Sequence, residues 1–385
     1  MSNAQTQPEL SAPRNYRTVY WYPSLRCNLA CKHCWVKSSP TADTSRDLST
    51  EEALQVVEKI REFGAFAILS GGEILFRQDA LIILQALIDA RVDMAVETNG
   101  LLICGQFIEM VVQARASGLR VNVAISMDGG TAEAHEWMRG RNTFDRTLKA
   151  MQLLKDAGIG FDVQCILHRG NAGTVTQLFE QMARFAPEPH QLIFGFLNPV
   201  GRGLQIADDW GLNDAEREEA CGVIAAGMSR YPGRVCVKTP PALIPPRYFA
   251  RLFSHQGQCY CSTACAFPTL GILPNGNITI CALTGDDPSM NFGNIRTSSL
   301  AQIWKEVRMD EVRHKYVEAK LTGICSDCVF RAMCKGSCRA HAYEEFGEFN
   351  APHPLCDTLF KRGEFPDAYR LTALHERTAP KLEVI

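Results

Sequence analysis

Between Tyr16 and Asn198, short apolar runs rich in β-branched and aromatic residues alternate with longer stretches of helical periodicity. The runs Thr18–Leu25, Phe66–Leu69, Asp93–Thr98, Arg120–Ser126, Gly160–Leu167 and Gln191–Leu197 predict strands. Amphipathic patterns predict helices over Thr50–Phe63, Asp79–Ala90, Gln106–Ala116, Phe144–Ala157 and Gly173–Phe185. Ser49 or Thr50 caps the first of these, and Glu51 and Glu52 complement its dipole. Six strands with helical crossovers imply a parallel α/β sheet. Closing a TIM barrel takes eight such units, so the expected fold is a partial (β/α)6 TIM-like barrel.

Glu216–Ser229 predicts a further helix, after which Thr239-Pro240-Pro241 and Pro245-Pro246 interrupt regular structure. Beyond them the periodicity is weak. Asn275-Gly276-Asn277 predicts a hairpin turn between Thr269–Leu273 and Ile278–Ala282, and Leu300–Glu311 a helix. The expected organisation is a flexible N-terminus (1–15), a barrel core (16–238), a linker (239–258), a small loop-rich domain (259–360) and a tail (361–385).

The composition is that of a folded globular chain: 385 residues, 46% hydrophobic and 21% charged. With 40 Lys and Arg against 42 Asp and Glu, the chain lacks the basic excess of a nucleic-acid binder or an anionic-membrane binder. No run reaches the ~18 apolar residues of a membrane span. The opening MSNAQTQPEL has no apolar signal segment, so a cytoplasmic location is expected. One count is out of line: 16 Cys. A reducing compartment turns that number toward metal or redox chemistry rather than disulfides.

Cys27, Cys31 and Cys34 form a Cys-x3-Cys-x2-Cys run directly after the first predicted strand. Three thiolates in one loop can hold three irons of a [4Fe–4S] cluster and leave the fourth open, the mark of a reactive rather than a structural site. A zinc knuckle or three buried cysteines is the plainer reading of the same run. Three further segments end predicted strands: Ser70-Gly71-Gly72-Glu73, Thr98-Asn99-Gly100 and Ser126-Met127-Asp128-Gly129. The segment His135 to Gly140 (HEWMRG) follows the last of them. In parallel α/β folds, that edge of the sheet is where ligands bind.

This order of motifs resembles the radical S-adenosylmethionine (SAM) superfamily. The resemblance implies a [4Fe–4S] cluster on Cys27, Cys31 and Cys34 that binds SAM. Gly71, Gly72 and Glu73 would meet the SAM amino group, although Ile74 stands where members usually have Pro. Thr98 and Asn99 would lie beside the cofactor, Ser126 and Asp128 would meet its ribose, and Arg139 would pair with its carboxylate.

Cys265, Cys281, Cys325, Cys328, Cys334, Cys338 and Cys356 repeat the spacing of the SPASM extension of that superfamily. The resemblance implies two auxiliary [4Fe–4S] clusters. Cys259, Cys265, Cys281 and Cys338 would bind the first, with Cys261 an alternative to Cys259. Cys325, Cys328, Cys334 and Cys356 would bind the second. Cys104, Cys165, Cys221 and Cys236 read as small buried hydrophobes.

The implied chemistry is reductive cleavage of SAM to a 5′-deoxyadenosyl radical, which takes hydrogen from a C–H bond; a flavodoxin or ferredoxin-like protein would supply the electron. Sulfatase-maturing relatives carry Asp directly after the third ligand of the first auxiliary cluster. Ala282 stands there in this chain, leaving Asp286 and Asp287 as proton-acceptor candidates or as parts of a solvated turn. The expected activity is oxidative modification, a crosslink or a desaturation, of a ribosomally synthesised peptide. With 26 residues before Cys27, a leader-binding winged helix is not expected there. Asn198 to Gly203 and the cysteine-rich tail also resemble the haem-pathway branch, which makes a tetrapyrrole the alternative substrate. A non-catalytic zinc or iron–sulfur protein is the third reading.

Overall fold

Buried and half-buried residues alternate along the barrel strands, so one face packs under helices and the other lines a concave side. In β1 (Thr18–Trp21), Val19 and Trp21 are buried while Thr18 and Tyr20 are half-buried. The same period of two runs through β2 (Phe66–Leu69), β3 (Met94–Thr98), β4 (Val121–Ser126) and β5 (Asp162–Leu167). The computed structural model describes residues 17–185, 191–254, 269–285 and 287–378. The expected N-terminus (1–15), Cys259, Cys261, Cys265 and Asp286 lie outside the described residues.

The remaining strands are β6 (Gln191–Phe196), β7 (Arg234–Lys238), β8 (Thr269–Ile272), β9 (Asn277–Thr279) and β10 (Gly293–Asn294). One ten-stranded sheet joins them in the order β10-β9-β8-β1-β2-β3-β4-β5-β6-β7. Neighbours from β1 to β7 are parallel, and their C-terminal ends share one edge. The partial barrel is therefore as expected, extended by one strand. In β7 only Val235, Cys236 and Val237 lie between Arg234 and Lys238, too short an apolar run to read as a strand alone.

Crossover helices are α1 (Thr50–Phe63), α2 (Ala80–Asp89), α3 (Gly105–Ala116), α4 (Ala132–Arg139), α5 (Phe144–Asp156) and α6 (Val175–Ala183). The predicted bounds of α1 hold because its ends are chemically marked. Ser49 and Glu52 close a capping box, and Gly64 takes the left-handed C-cap at φ 66°. The sequence pattern missed α4, a short helix capped by Thr131. The short α7 (Ala207–Trp210) precedes α8 (Asp214–Gly227).

The stretch read as a linker contains α9 (Pro246–Ser254); Pro246 sits in the first turn, where its missing N–H costs nothing. The predicted helix Leu300–Glu311 divides into α10 (Leu300–Trp304) and α11 (Val307–Val317). The C-terminal region continues with α12 (Gly323–Ser326), α13 (Arg331–Cys334), α14 (Arg339–Phe346), α15 (Pro354–Lys361) and α16 (Leu371–Thr378). Among the described residues, no helix is long and apolar enough to cross a membrane.

The cysteine-rich region does not hang from the barrel as a separate body. Strand β8 pairs in parallel with β1, with Thr18 opposite Thr269 and Trp21 opposite Ile272. Leu270 and Ile272 are fully buried in the same core as Val19 and Trp21. Of the cysteines expected to be inert, Cys165 and Cys221 are buried thiols. Two expectations need correction: Cys104 is exposed just before α3, and Cys236 is buried but disulfide-bonded. Leu270→Ala should lower unfolding free energy by about 2–5 kcal/mol, read as a drop in denaturation midpoint.

Candidate active site

The chain leaves β1 and enters the cysteine loop pressed against the end of β2. Gly72 N–H donates to Ser24 O (2.9 Å) and Glu73 N–H to Arg26 O (3.1 Å). A Cβ on Gly72 would fall 2.1 Å from Arg26 O, so no other residue fits there without moving the loop. Within the loop, Leu29 N–H donates to Cys27 Sγ and Ser38 N–H to Cys34 Sγ, both at 3.3 Å. The segment after β6 supports it from the other side. Arg202 donates from its backbone N–H to Cys34 O (3.0 Å) and from Nε to Cys31 O (2.8 Å). Gly201, at φ 58°, lies where a Cβ would meet Trp35 O at 2.4 Å.

Burial pushes the Cys27 thiol up to about 12. A buried thiol in that state stays protonated unless a metal takes up the sulfur's charge. Three thiols in one loop, with backbone donors aimed at two of the sulfurs, fit an iron–sulfur cluster.

The end of β3 is tied to this loop through Glu73. Its buried carboxylate accepts from Thr98 Oγ1 (2.9 Å), Asn99 N–H (2.8 Å) and Leu75 N–H (3.2 Å). The structure thus places Glu73 as a tie between β2 and β3, and its oxygens already hold three donors. Asn99 reaches on to the cysteine loop, donating from Nδ2 to Asn28 Oδ1 (2.8 Å).

After β4 the fully buried Asp128 joins three elements. Its Oδ1 accepts from Ile166 N–H (2.7 Å), and its Oδ2 lies 2.8 Å from His33 Nε2 and 2.7 Å from Arg139 Nε. The adjacent Arg139 and His33 hold its carboxyl well below the usual range, overcoming the opposing effect of burial. Arg139 Nη1 stands 4.0 Å from Cys31 Sγ. Asp128 therefore orients Arg139 and leaves the far edge of the guanidinium beside the cysteine loop. Ser126, at the end of β4, is half-buried on the concave side.

Sequence reasoning overlooked His33, Lys32, Trp137, Trp210 and His168 at this rim. His33 was hidden inside the cysteine spacing. Trp137 of α4 lies with its ring centroid 3.9 Å from that of Trp210 and 4.9 Å from that of His168, while Lys32 Nζ sits 3.7 Å above it. His168 is fully buried, and its Nδ1 accepts from Gly170 N–H (3.1 Å). Burial pushes its pKa down to about 4, so the ring is neutral and Nε2 carries the proton. His168 Nε2, His33 Nδ1, Arg202 Nη2 and Asn198 Oδ1 are buried without protein partners. Buried polar atoms are ordinarily satisfied, so four orphans on the loops after β1, β5 and β6 suit a polar ligand at this edge.

The second cysteine group closes around its own space. Cys325, Cys328, Cys334 and Cys356 line one small cavity together with His353 and Gly336. Phe330 N–H donates to Cys328 Sγ and His353 N–H to Cys325 Sγ, each at 3.4 Å. Burial pushes Cys328 up to about 11 and Cys334 to about 12. Among the described residues, no three His, Cys, Asp or Glu side chains converge on one ion position. Four thiols around a common space suit a cubane, in which each binds a different iron. Cys338 does not line this cavity; it immediately precedes α14, against which the Ala282–Thr284 turn after Cys281 packs. The other expected ligands of that cluster, Cys259 or Cys261 and Cys265, lie outside the described residues.

A cavity of about 440 Å³ lies between the segment after Cys34 and the turn after Cys281. Trp35 to Lys37 line one wall, and Ala282 to Gly285, Asp287 and Tyr343 line another. Asp287 accepts from Tyr343 Oη and from Ser289 N–H (2.7 Å). Those bonds, Tyr343 first, hold its carboxyl below the usual range.

Asp128→Asn should weaken SAM binding about 10–100-fold in equilibrium dialysis while iron content stays near normal, because Arg139 loses its orienting partner. Gly72→Ala should instead reduce iron incorporation at the first cluster, read by iron analysis after anaerobic reconstitution.

Residues 21–181 match the Radical SAM superfamily model, and residues 261–329 match SPASM, an iron–sulfur cluster-binding domain. The chain is 28% identical over 364 residues to the AdoMet-dependent heme synthase of Methanosarcina barkeri, covering 88% of this chain and 96% of that protein. It is 25% identical over 339 residues to the mycofactocin maturase MftC of Mycolicibacterium smegmatis, covering 87% and 81%. In fold it is similar to native anSMEcpe with bound AdoMet, with TM-score 0.67, 16% identity and coverage of 94% and 99%. It is also similar to Streptococcus suis SuiB bound to S-adenosylmethionine, with TM-score 0.67, 14% identity and coverage of 88% and 76%. The two family models fall in chain order on the first cysteine loop and the start of the second cysteine group. This chain therefore carries a radical SAM domain followed by a SPASM domain, an enzyme served by a SAM-binding [4Fe–4S] cluster and auxiliary iron–sulfur clusters.

Proposed function

We propose that this enzyme oxidises a ribosomally made peptide at a C–H bond, forming a crosslink or a double bond. The observation that carries the peptide reading is the charge of the cavity between the segment after Cys34 and the turn after Cys281. Asp43, Asp47, Asp287 and Glu344 line it against Lys37 and Arg46, an excess of carboxylates. A side chain or backbone amide enters such a site readily, whereas a tetrapyrrole bearing several carboxylates meets like charge. The chain is also similar to the PqqA peptide cyclase of Rhizobium meliloti, 24% identical over 347 residues.

When bound, SAM on its cluster supplies a 5′-deoxyadenosyl radical that takes a hydrogen atom from the substrate. The protein's residues place and protect. Arg139, fixed by Asp128, is assigned to the SAM carboxylate. His168 Nε2, Arg202 Nη2 and Asn198 Oδ1 are assigned to polar atoms of the same ligand. Trp137 and Trp210 cover the rim and keep water out. Asp287, on the cavity wall with Tyr343, is assigned to take the second substrate hydrogen as a proton; auxiliary clusters held by the C-terminal cysteines would supply the acceptor for the remaining electron. A flavodoxin or ferredoxin-like carrier in the cytoplasm completes this reading as electron donor.

A tetrapyrrole is the second reading. It is favoured by the 28% identity to a heme synthase over 96% of that relative, and by the contacts of Gly201 and Arg202 with the cysteine loop.

With dithionite and SAM under anaerobic conditions, the reconstituted enzyme should release 5′-deoxyadenosine, and a Cys27, Cys31 and Cys34 triple Ala variant should not. Given a short peptide encoded beside its own gene, the enzyme should lower that peptide's mass by two hydrogens per modification. An unaltered peptide alongside a modified porphyrin tetracarboxylate would overturn the peptide reading. Asp287→Asn should slow product formation about 10²–10⁴-fold while 5′-deoxyadenosine release persists.

A further inference from the structure

Arg339 opens α14 and is fully buried. Its guanidinium donates to Phe349 O (2.9 Å), to Ala351 O and to Gly336 O. Gly336 lines the cavity between Cys325, Cys328, Cys334 and Cys356. A Cβ at Gly336 would meet the Arg339 side chain at 2.3 Å, so the guanidinium lies directly behind that wall. On the other side, Ala351 stands two residues before His353, whose N–H donates to Cys325 Sγ. One side chain thus joins the two loops that form the cradle, at the back of the four thiols.

A guanidinium keeps its charge at any working pH. Four thiolates around a [4Fe–4S] core carry a net negative charge that grows by one on one-electron reduction. A fixed cation stabilises the more negative form more strongly, and burial limits solvent screening of that difference.

We propose that Arg339 sets the reduction potential of the cluster held by Cys325, Cys328, Cys334 and Cys356, raising it so that this cluster is the favoured resting place for an electron withdrawn from the substrate. The inference rests on assigning those four cysteines to one auxiliary cluster. Hydrogen bonds and charge at the sulfurs are established levers on such potentials. Arg339 also cross-links the loops, so its charge and its packing have to be separated.

Arg339→Gln and Arg339→Lys are to be compared with the wild-type holoenzyme by anaerobic redox titration followed by electron paramagnetic resonance. Auxiliary signals are recognised by their indifference to added SAM. One auxiliary potential should move negative in Arg339→Gln and hold near the wild-type value in Arg339→Lys. Full iron content with an unmoved potential in Arg339→Gln would overturn the proposal. If Arg339→Gln fails to assemble the cluster, assembly in Arg339→Lys supports a requirement for charge. Failure in both makes the residue a loop cross-link and overturns the proposal. Cys325→Ala serves as the separate control: iron content and signals equal to wild type would show that the ligand assignment itself had failed.

Discussion

A charged sulfur loses a great deal on leaving water, and much of this fold is arranged around thiols that have left it. The Cys27, Cys31 and Cys34 loop sits at the end of β1, the strand with β2 on one side and β8 on the other. Gly71 and Gly72 let the end of β2 approach the loop at backbone distance, and Arg202 clamps it from the segment after β6. Arg139 brings a positive charge to Cys31, and Asp128 holds that charge in place. Each element makes burial of the sulfurs tolerable once iron is present, and each lies at the same edge because parallel strands present their C-terminal ends together.

The same solution is built a second time with different parts. Around Cys325, Cys328, Cys334 and Cys356 there is no strand edge to supply donors; short helical turns and loops do so instead. Arg339 takes the place that Arg139 holds at the first site, a buried guanidinium behind the sulfurs, and it donates to the carbonyls of Phe349, Ala351 and Gly336. An ion pair at the first site keeps the cation's direction for a ligand. At the second, carbonyl acceptors tie the cation to the cradle itself, which suits storage of an electron rather than binding of a substrate.

Two departures from the sequence reading share a physical origin. Glu73 and Asp128 were expected to face the ligand, yet their carboxylates accept from Thr98, Asn99, Ile166, His33 and Arg139. The residue types were legible, whereas the direction of a buried side chain depends on which donors the fold brings within reach. His168, Trp137 and Trp210 were illegible for a related reason. They come from separate segments and meet only when the loops after β4, β5 and β6 converge, so no local spacing joins them.

The amino-acid sequence alone determined the order of the first six barrel strands and of the long helices between them, the two cysteine groups and the strand-end motifs. These depend on local periodicity, capping and spacing, which are properties of neighbours in the chain. Tertiary structure decided that β8 continues the barrel sheet, and that Asp128 ties His33 to Arg139. It also formed an acid-lined cavity between the segments after Cys34 and Cys281, and placed Arg339 behind the second cysteine group. Those features arise from contacts between residues far apart in the chain, where burial and charge act through space and leave no periodic trace in the sequence.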